Sequence, residues 1–320
     1  MISKKGNGQK FETCPVCQSS KIAFRLNTFD RHYLQHHQSF DVYRCTDCSL
    51  LFLNPMITEE ELHDLYPKDS YYAYTEIAPF AVQKKVGLMQ RLKRLVINTS
   101  SRDPEFLDIS SLSVLDVGCG SGEKLAEFRQ AGWKKVQGVE IDKRACEIGK
   151  ANGIDIFHGT LLEAAFPSNS FDYVRSNHSF EHIIQNKAVI AEMFRICRPG
   201  GKLFIGVPNT GSLNFRLFGK YWYFLGIPFH PFGYNPKNLR LLLDEAGFEV
   251  EKVVHNGSAL GILGSMQIAL NSRRGIKHSQ GFLLKKIFEL PVHQLARLLN
   301  FARTGDCIEI IARKPGNNIA

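Results

Sequence analysis

From Val114 onward, short apolar runs alternate with segments of helical spacing, and this alternation predicts a parallel α/β sheet. Strands are expected at 114–118, 136–140, 154–157, 171–176 and 202–208, with helices over 121–132, 143–152 and 183–197 between them. Pro236 starts a further helix over 236–246 and Gly247 stops it. Strands at 248–255 and 307–313 complete the pattern. Two insertions interrupt it. The first, 209–235, is aromatic. The second, 256–306, is about fifty residues long, too long for an ordinary loop. It is expected to carry helices of its own, including an amphipathic stretch around 282–302 bent at Pro291. Upstream, residues 1–75 are rich in cysteine, aromatic and polar residues with short strand-like runs, and 84–98 has helical spacing with a basic face.

The chain has 320 residues, 44% apolar and 22% charged, enough to bury a full core without staples. Wholesale disorder, a collagen-like repeat and a disulfide miniprotein are excluded. The length suggests a small head, 1–75, and a larger body, 76–320, built from a core (112–255 and 307–313) and the two insertions. No run reaches the roughly 18 apolar residues of a membrane span. The start, MISKKGNGQK, lacks the apolar region of a signal peptide. The expectation is a soluble cytoplasmic protein with reduced thiols. The net charge of +9 admits an anionic partner without selecting one.

The densest signal is VLDVGCGSGEKLAEFRQAG, residues 114–132. A strand runs into Gly118-Cys119-Gly120-Ser121-Gly122 and then into a helix. Glycines allow a tight turn there and let a ligand approach the backbone at the carboxyl end of the strand. Asp116 sits just before the turn. Glu140 ends the second strand, where a carboxylate can accept from both ribose hydroxyls and would repel a 2′-phosphate. A nucleoside cofactor is implied.

VLDVGCGSG, GVEID, the SFDYV strand, the EH pair at 181–182 and RICRPGGKLFIGVPN together resemble the class I S-adenosylmethionine-dependent methyltransferase family over about residues 112–255 plus the last strand. The resemblance implies a seven-stranded Rossmann-like sheet in the order 3-2-1-4-5-7-6 with the last strand antiparallel. S-adenosylmethionine would meet Asp116 and the loop of Gly118, Cys119, Gly120 and Gly122 at its amino-acid end. Glu140 would hold the ribose, Ile141 would pack on the adenine, and Asn177 would lie beside the cofactor. Members often carry an acid after the third strand that reads the adenine amino group. This chain has Thr160 and Leu161 there, and a backbone carbonyl would substitute.

Methyl transfer needs alignment of the acceptor and often removal of its proton. Strand four ends in Ser176-Asn177-His178-Ser179-Phe180-Glu181-His182. His178 and His182 are four apart and share a face if the segment is a helical turn. Either reads as a general base. HxxEH also reads as three metal ligands, resembling the ExxEH segment of ubiquinone-pathway O-methyltransferases, with His178 in place of the first Glu. The bland reading is that Glu181 and His182 only cap and orient the next helix. In 209–235, Trp, Tyr and Phe residues could line a lid over the acceptor, with His230 and Tyr234 as polar contacts, or form a flap that completes the core, and the two roles are compatible. No Asn/Asp-Pro-Pro-Tyr/Phe follows strand four, so the nucleic-acid amino-methylating signature is missing.

CPVC at 14–17 and CTDC at 45–48 are separated by 27 residues. Two CxxC turns can complete a tetrahedral site, and four thiolates (Cys14, Cys17, Cys45, Cys48) suit structural zinc. A redox dithiol pair, an iron centre or no metal are the alternatives. His32, His36 and His37 lie between the pairs and are not needed. The run CPVCQSS…YRCTDCSLLFLNPMITEEELHDLYPKDSYYAY resembles the zinc-ribbon head of a methyltransferase subfamily associated with surface-polysaccharide and sugar modification. That resemblance implies a sugar or other small-molecule acceptor, nucleotide- or lipid-linked. It also leaves room for Tyr66, Tyr71, Tyr72 and Tyr74 to help close the site. A zinc-ribbon RNA methyltransferase, a non-catalytic interaction module and a nicotinamide oxidoreductase are the competing readings. The first is weakened because residues 271–320 carry nine Lys/Arg against three Asp/Glu, away from the ribbon. The second is weakened by the intact glycine loop and the third by GxGxG spacing. The basic stretch at 282–302 permits peripheral contact with an anionic membrane.

Overall fold

The computed structural model describes residues 8–31, 38–66, 103–104, 106, 108–275 and 283–316, the side chains of 283–290 excepted. The helical expectation for 84–98, His32, His36, His37, Tyr71, Tyr72 and Tyr74 lie outside the described residues.

The head carries β1 (Ile22–Phe29), β2 (Ser39–Cys45), β3 (Leu51–Leu53) and α1 (Glu59–Leu65). A capping box sets the start of α1: Thr58 accepts from the Glu61 amide and Glu61 accepts from the Thr58 amide. The body follows with β4 (Ser113–Val117), α2 (Glu123–Gln130), β5 (Lys135–Glu140), α3 (Lys143–Ala151), β6 (Asp155–His158) and β7 (Phe171–Asn177). Next come α4 (Asn186–Ile196), β8 (Cys197–Pro208), α5 (Leu213–Phe218), β9 (Phe232–Gly233), α6 (Pro236–Ala246) and β10 (Glu249–His255). Helices α7 (Ala259–Arg273) and α8 (Leu283–Phe301) precede the last strand, β11 (Cys307–Arg313).

The seven-stranded sheet runs β10-β11-β8-β7-β4-β5-β6. Numbering the seven strands of this sheet in chain order, this is 3-2-1-4-5-7-6, with β11 antiparallel to both neighbours. The other pairings are parallel. Every position of β4 is buried, as a central strand covered on both faces requires. Helix α6 starts and stops as its residues dictate. Asn235 caps it, Pro236 takes the first position, and Gly247 ends it at φ 97°, a left-handed conformation that favours glycine.

The head and body share one core. It runs from Cys14, Val42, Leu50 and Phe52 through Leu115, Val174 and Ile205 to Leu239 and Leu243. The short strand β9, from the aromatic insertion, extends the head sheet by pairing with β3. Trp222, Phe229, Phe232 and Tyr234 are buried in the same core. The insertion at 209–235 is therefore a wedge between head and body. The flap role is what this packing shows, since burying these aromatic surfaces against the head is more favourable than leaving them over an open cleft, and none of them lines the large cavity. Helix α8 continues through Pro291. The bend expected there does not end the helix, since its packing on α7 outweighs one lost backbone bond at an exposed position.

Candidate functional site

At the carboxyl ends of β4, β5 and β7 lies a cavity of about 710 Å³. Asp116, Gly118, Cys119, Gly120, Glu140, Ile141, Thr160, Leu161, Asn177, His178 and His182 all line it. The turn after β4 has Gly118 at φ 73° and Gly120 at φ 55°. A methyl at Gly118 would run into Ser179 Oγ, so glycine is what lets the two loops touch. Gly122 is not on the cavity wall. It starts α2 at φ 85°, and a methyl there would meet Ile154 Cγ2 at 3.0 Å, so it serves close helix–strand packing. The Cys119 side chain turns toward Gly138, and burial pushes its thiol well up, so it is an inert packing group.

Asp116 is buried and ion-paired, with its Oδ2 2.7 Å from Arg175 Nη1. Arg175 in turn bonds Asp103, which also accepts from the Tyr173 hydroxyl and Lys124. This lattice fixes Asp116 while leaving its Oδ1 buried and without a hydrogen-bond partner among the described residues. A ligand cation with N–H donors suits that atom. Glu140 accepts from the amides of Gly120 (2.8 Å) and Asp142 (3.0 Å). Each of its oxygens keeps a second lone pair for a hydroxyl donor. Ile141, 56% exposed, offers an apolar surface beside it. Beyond β6, Thr160 donates through both its amide and its hydroxyl to Glu163 Oε2 (2.7 and 2.9 Å). Those bonds hold Glu163 below the usual carboxylate range, and Glu163 also lines the cavity. A carboxylate therefore stands on the cavity wall three residues beyond Thr160. The T-x-x-E spacing of a self-capped turn was the signal for it.

At the other end, the segment after β7 is not one helical turn. His178 is left-handed at φ 53°, a strained position for a non-glycine residue, and Phe180–His182 form a single 3-10 turn. The two histidines therefore do not stack as an i,i+4 pair. His178 Nδ1 lies 3.5 Å from Glu181 Oε1. Glu181 is buried off the large cavity. Burial alone would raise its carboxyl, but His178, His182 and His230 hold it down to about 2. His182 Nδ1 lies 2.9 Å from the Phe229 carbonyl, which can only accept, so this nitrogen carries the proton and Nε2 is the basic atom. Burial pushes the His182 pKa below its usual value.

His230 is behind His182, its ring 4.7 Å away, and its Nδ1–H donates to the Phe224 carbonyl. It faces a small cavity with Glu181 and does not reach the large one. Tyr234 is fully buried and accepts from Asn186 Nδ2. Neither residue contacts the space an acceptor would fill, because the aromatic wedge faces the head. Glu181, His182 and His230 bring ligand atoms within 4.8 Å of one another, so any metal on this motif would take His230 rather than His178.

The head supplies a wall to the large cavity, with Tyr66, just after α1, placed there as its resemblance allowed and Glu59, Leu62 and His63 of α1 beside it. The Tyr66 hydroxyl lies 2.9 Å from His182 Nδ1, and Gln185 Nε2 donates to Glu59. The four head cysteines cluster with all thiols within 4.8 Å. Cys14–Cys48 and Cys17–Cys45 sulfurs are 3.6 and 3.5 Å apart. A tetrahedral site with Zn–S bonds of about 2.3 Å needs sulfurs about 3.8 Å apart, so the donors fit. The adjacent Cys48 thiol, working against burial, draws Cys14 down to about 5.

Residues 83–253 match the family described as a methyltransferase domain, just over half of the chain, and the chain belongs to that family. It is similar to a probable S-adenosylmethionine-dependent methyltransferase of Mycolicibacterium smegmatis, 32% identical over 165 residues (47% of this chain, 58% of that one). It is also similar to the demethylmenaquinone methyltransferase of Oceanobacillus iheyensis, 31% identical over 100 residues (28% of this chain, 42% of that one). The chain thus spans about half the length of the curated relatives it matches. Among solved structures, the [4+2]-cyclase SpnF aligns with a TM-score of 0.47 at 19% identity, covering 71% of this chain and 81% of that one.

Proposed function

We propose that the protein transfers a methyl group from S-adenosylmethionine to a small-molecule acceptor, and that the acceptor is a hydroxyl-bearing sugar or related compound, free or nucleotide- or lipid-linked. One observation carries the cofactor assignment: the unpartnered, buried Oδ1 of Asp116 beside the Gly118–Gly120 turn, in one cavity with Glu140. The cavity volume falls in the range of about 300–1,000 Å³ usual for small-molecule sites. The name of the demethylmenaquinone methyltransferase to which the chain is similar favours a small molecule over a macromolecule.

Bound there, the cofactor would supply an electrophilic methyl on a sulfonium. Asp116 would accept from its ammonium and Glu140 from its ribose hydroxyls. Ile141 would cover the adenine face, and Glu163 would accept from the exocyclic amine. His182 Nε2 would take the acceptor's proton, and Glu181 would steady the imidazolium that forms. His178 would orient Glu181. Zinc on Cys14, Cys17, Cys45 and Cys48 would fix the head, so that 1–75 and 76–320 act as one unit in the reducing cytoplasm.

Titration calorimetry with S-adenosylmethionine, followed by a methyl-transfer screen over nucleotide sugars, tests the reading. Saturable binding that weakens in Asp116→Asn and Glu140→Gln supports it. Undetectable cofactor binding by folded protein overturns it.

A further inference from the structure

The chain's charge is unevenly spent. The two insertions, 209–235 and 256–306, hold nine Lys/Arg and two Asp/Glu, which is +7 of the net +9. One of the two acids, Asp306, is buried and bonded to Trp222 Nε1 and Asn214 Nδ2. The basic side chains Arg216, Arg273, Arg274, Arg297 and Arg303 are exposed.

The same segments hold the most exposed large apolar side chains described: Phe301 at 91%, Leu217 at 69% and Leu298 at 65%. Helix α7 has no charged residue from Ala259 to Ser272 and carries apolar residues around its whole circumference. Its inner face buries Ile262, Leu263 and Ile268, and its outer face leaves Met266 and Leu270 exposed. A helix apolar all round belongs between two apolar surroundings, and the described residues supply only one here.

These surfaces are joined. The Leu213 amide of α5 donates to the Thr304 carbonyl just after α8, and the Tyr223 amide donates to Ser265 Oγ of α7. Both insertions leave the sheet at the edge that bears the large cavity, because Cys307 at the start of β11 pairs with Pro208 at the end of β8. The Phe224 carbonyl of the first insertion accepts from His230, whose ring packs on His182.

We propose that the face formed by α5, α7 and α8 docks the protein on an anionic lipid bilayer, with Leu217, Leu298 and Phe301 entering the headgroup boundary and the arginines meeting lipid phosphates. Apolar side chains interleaved with arginines, with an almost complete lack of acids, match the charge and polarity of that surface. A protein partner of ordinary composition would leave many of these cations unpaired. The docking goes beyond methyl transfer and does not depend on it.

Co-sedimentation of the full chain with vesicles tests it, using equal parts phosphatidylcholine and phosphatidylglycerol against phosphatidylcholine alone. Binding to the mixed vesicles only, weakened by added salt, is expected. Arg297→Glu with Arg303→Glu should lower partitioning at least about tenfold, each charge near an anionic surface contributing on that scale. Leu298→Ser with Phe301→Ser should lower it comparably, with S-adenosylmethionine affinity and circular dichroism unchanged in both variants. No binding to either vesicle, equal binding to both, or unchanged binding by both variants overturns the proposal. So does a concentration-dependent dimer in analytical ultracentrifugation that the same variants abolish, which would assign the face to a second copy of the chain. Failure here leaves cofactor binding intact, and failure of cofactor binding leaves vesicle docking intact, so the two readings fail separately.

Discussion

The cavity has two ends built on different principles. At the nucleoside end, β4, its glycine turn and the end of β5 come from one stretch of about thirty residues, and their side chains are held mainly by backbone amides and one buried ion pair. At the acceptor end, Tyr66, His182 and the Phe229 carbonyl come from three separate regions that meet only in the folded chain. The first end takes its lining mainly from one stretch, braced by Arg175 of β7, and should tolerate loss of the head. The second depends on the head, the wedge and the body all being in place.

The sharpest way to break this contrast is to dissolve the head. Cys48→Ser removes one of four clustered thiols and should cost several kcal/mol, as loss of a structural metal ligand does. The expected outcome is a lowered Tm and lost turnover with part of the cofactor affinity retained. Full retention of turnover by calorimetrically intact protein would show the head is dispensable. His182→Ala should lower kcat by about 10²–10⁴ with cofactor Kd unchanged, the scale of a lost general base. An equal effect on Kd would merge the two ends. Glu140→Gln should do the reverse, weakening cofactor binding about tenfold or more at little change in saturated turnover, since it replaces a charge-assisted acceptor.

The pH profile gives a finer test. If His182 is the base, it must be neutral to act, and burial holds its pKa below the usual 6.5, so turnover should persist through neutral pH and fall only on acidification below that value. An acid limb above 6.5 would contradict the assignment. Tyr66→Phe keeps the ring contact with Phe229 but removes the hydroxyl beside His182, and should lower kcat only about three- to tenfold while shifting that limb.

The nucleoside end was legible because its requirements are short-range. Gly118, Gly120, Asp116 and Glu140 have to be near one another in sequence for a strand–turn–helix to cradle a nucleoside, and the α6 boundaries followed from Pro236 and Gly247 alone. Arg175 could have been suspected as a cation inside an apolar central strand. Tyr66 could not be singled out from Tyr71, Tyr72 and Tyr74, since nothing local distinguishes it. Nor could the fate of Trp222 and Phe232, because an aromatic run reads the same whether it covers a ligand or a neighbouring sheet. The spacing of His178 and His182 fails for a different reason: a shared face requires a helical turn, and His178 is left-handed.

The cysteine knuckle is also a foundation for the body. The Asn235 and Asn238 side chains donate to the Cys48 carbonyl, Asn235 reaches Ser49 as well, and Lys237 Nζ donates to the Asp47 carbonyl. The residues that start α6 are therefore moored to the loop that presents two of the thiols. If those thiols hold zinc as proposed, a newly made chain that fails to load them is expected to loosen the pairing of β3 with β9 and open a row of aromatic side chains to solvent, the kind of surface that chaperones and proteases recognise. The ion supply of the cell would then set how much of this protein survives, before any question of how fast it turns over.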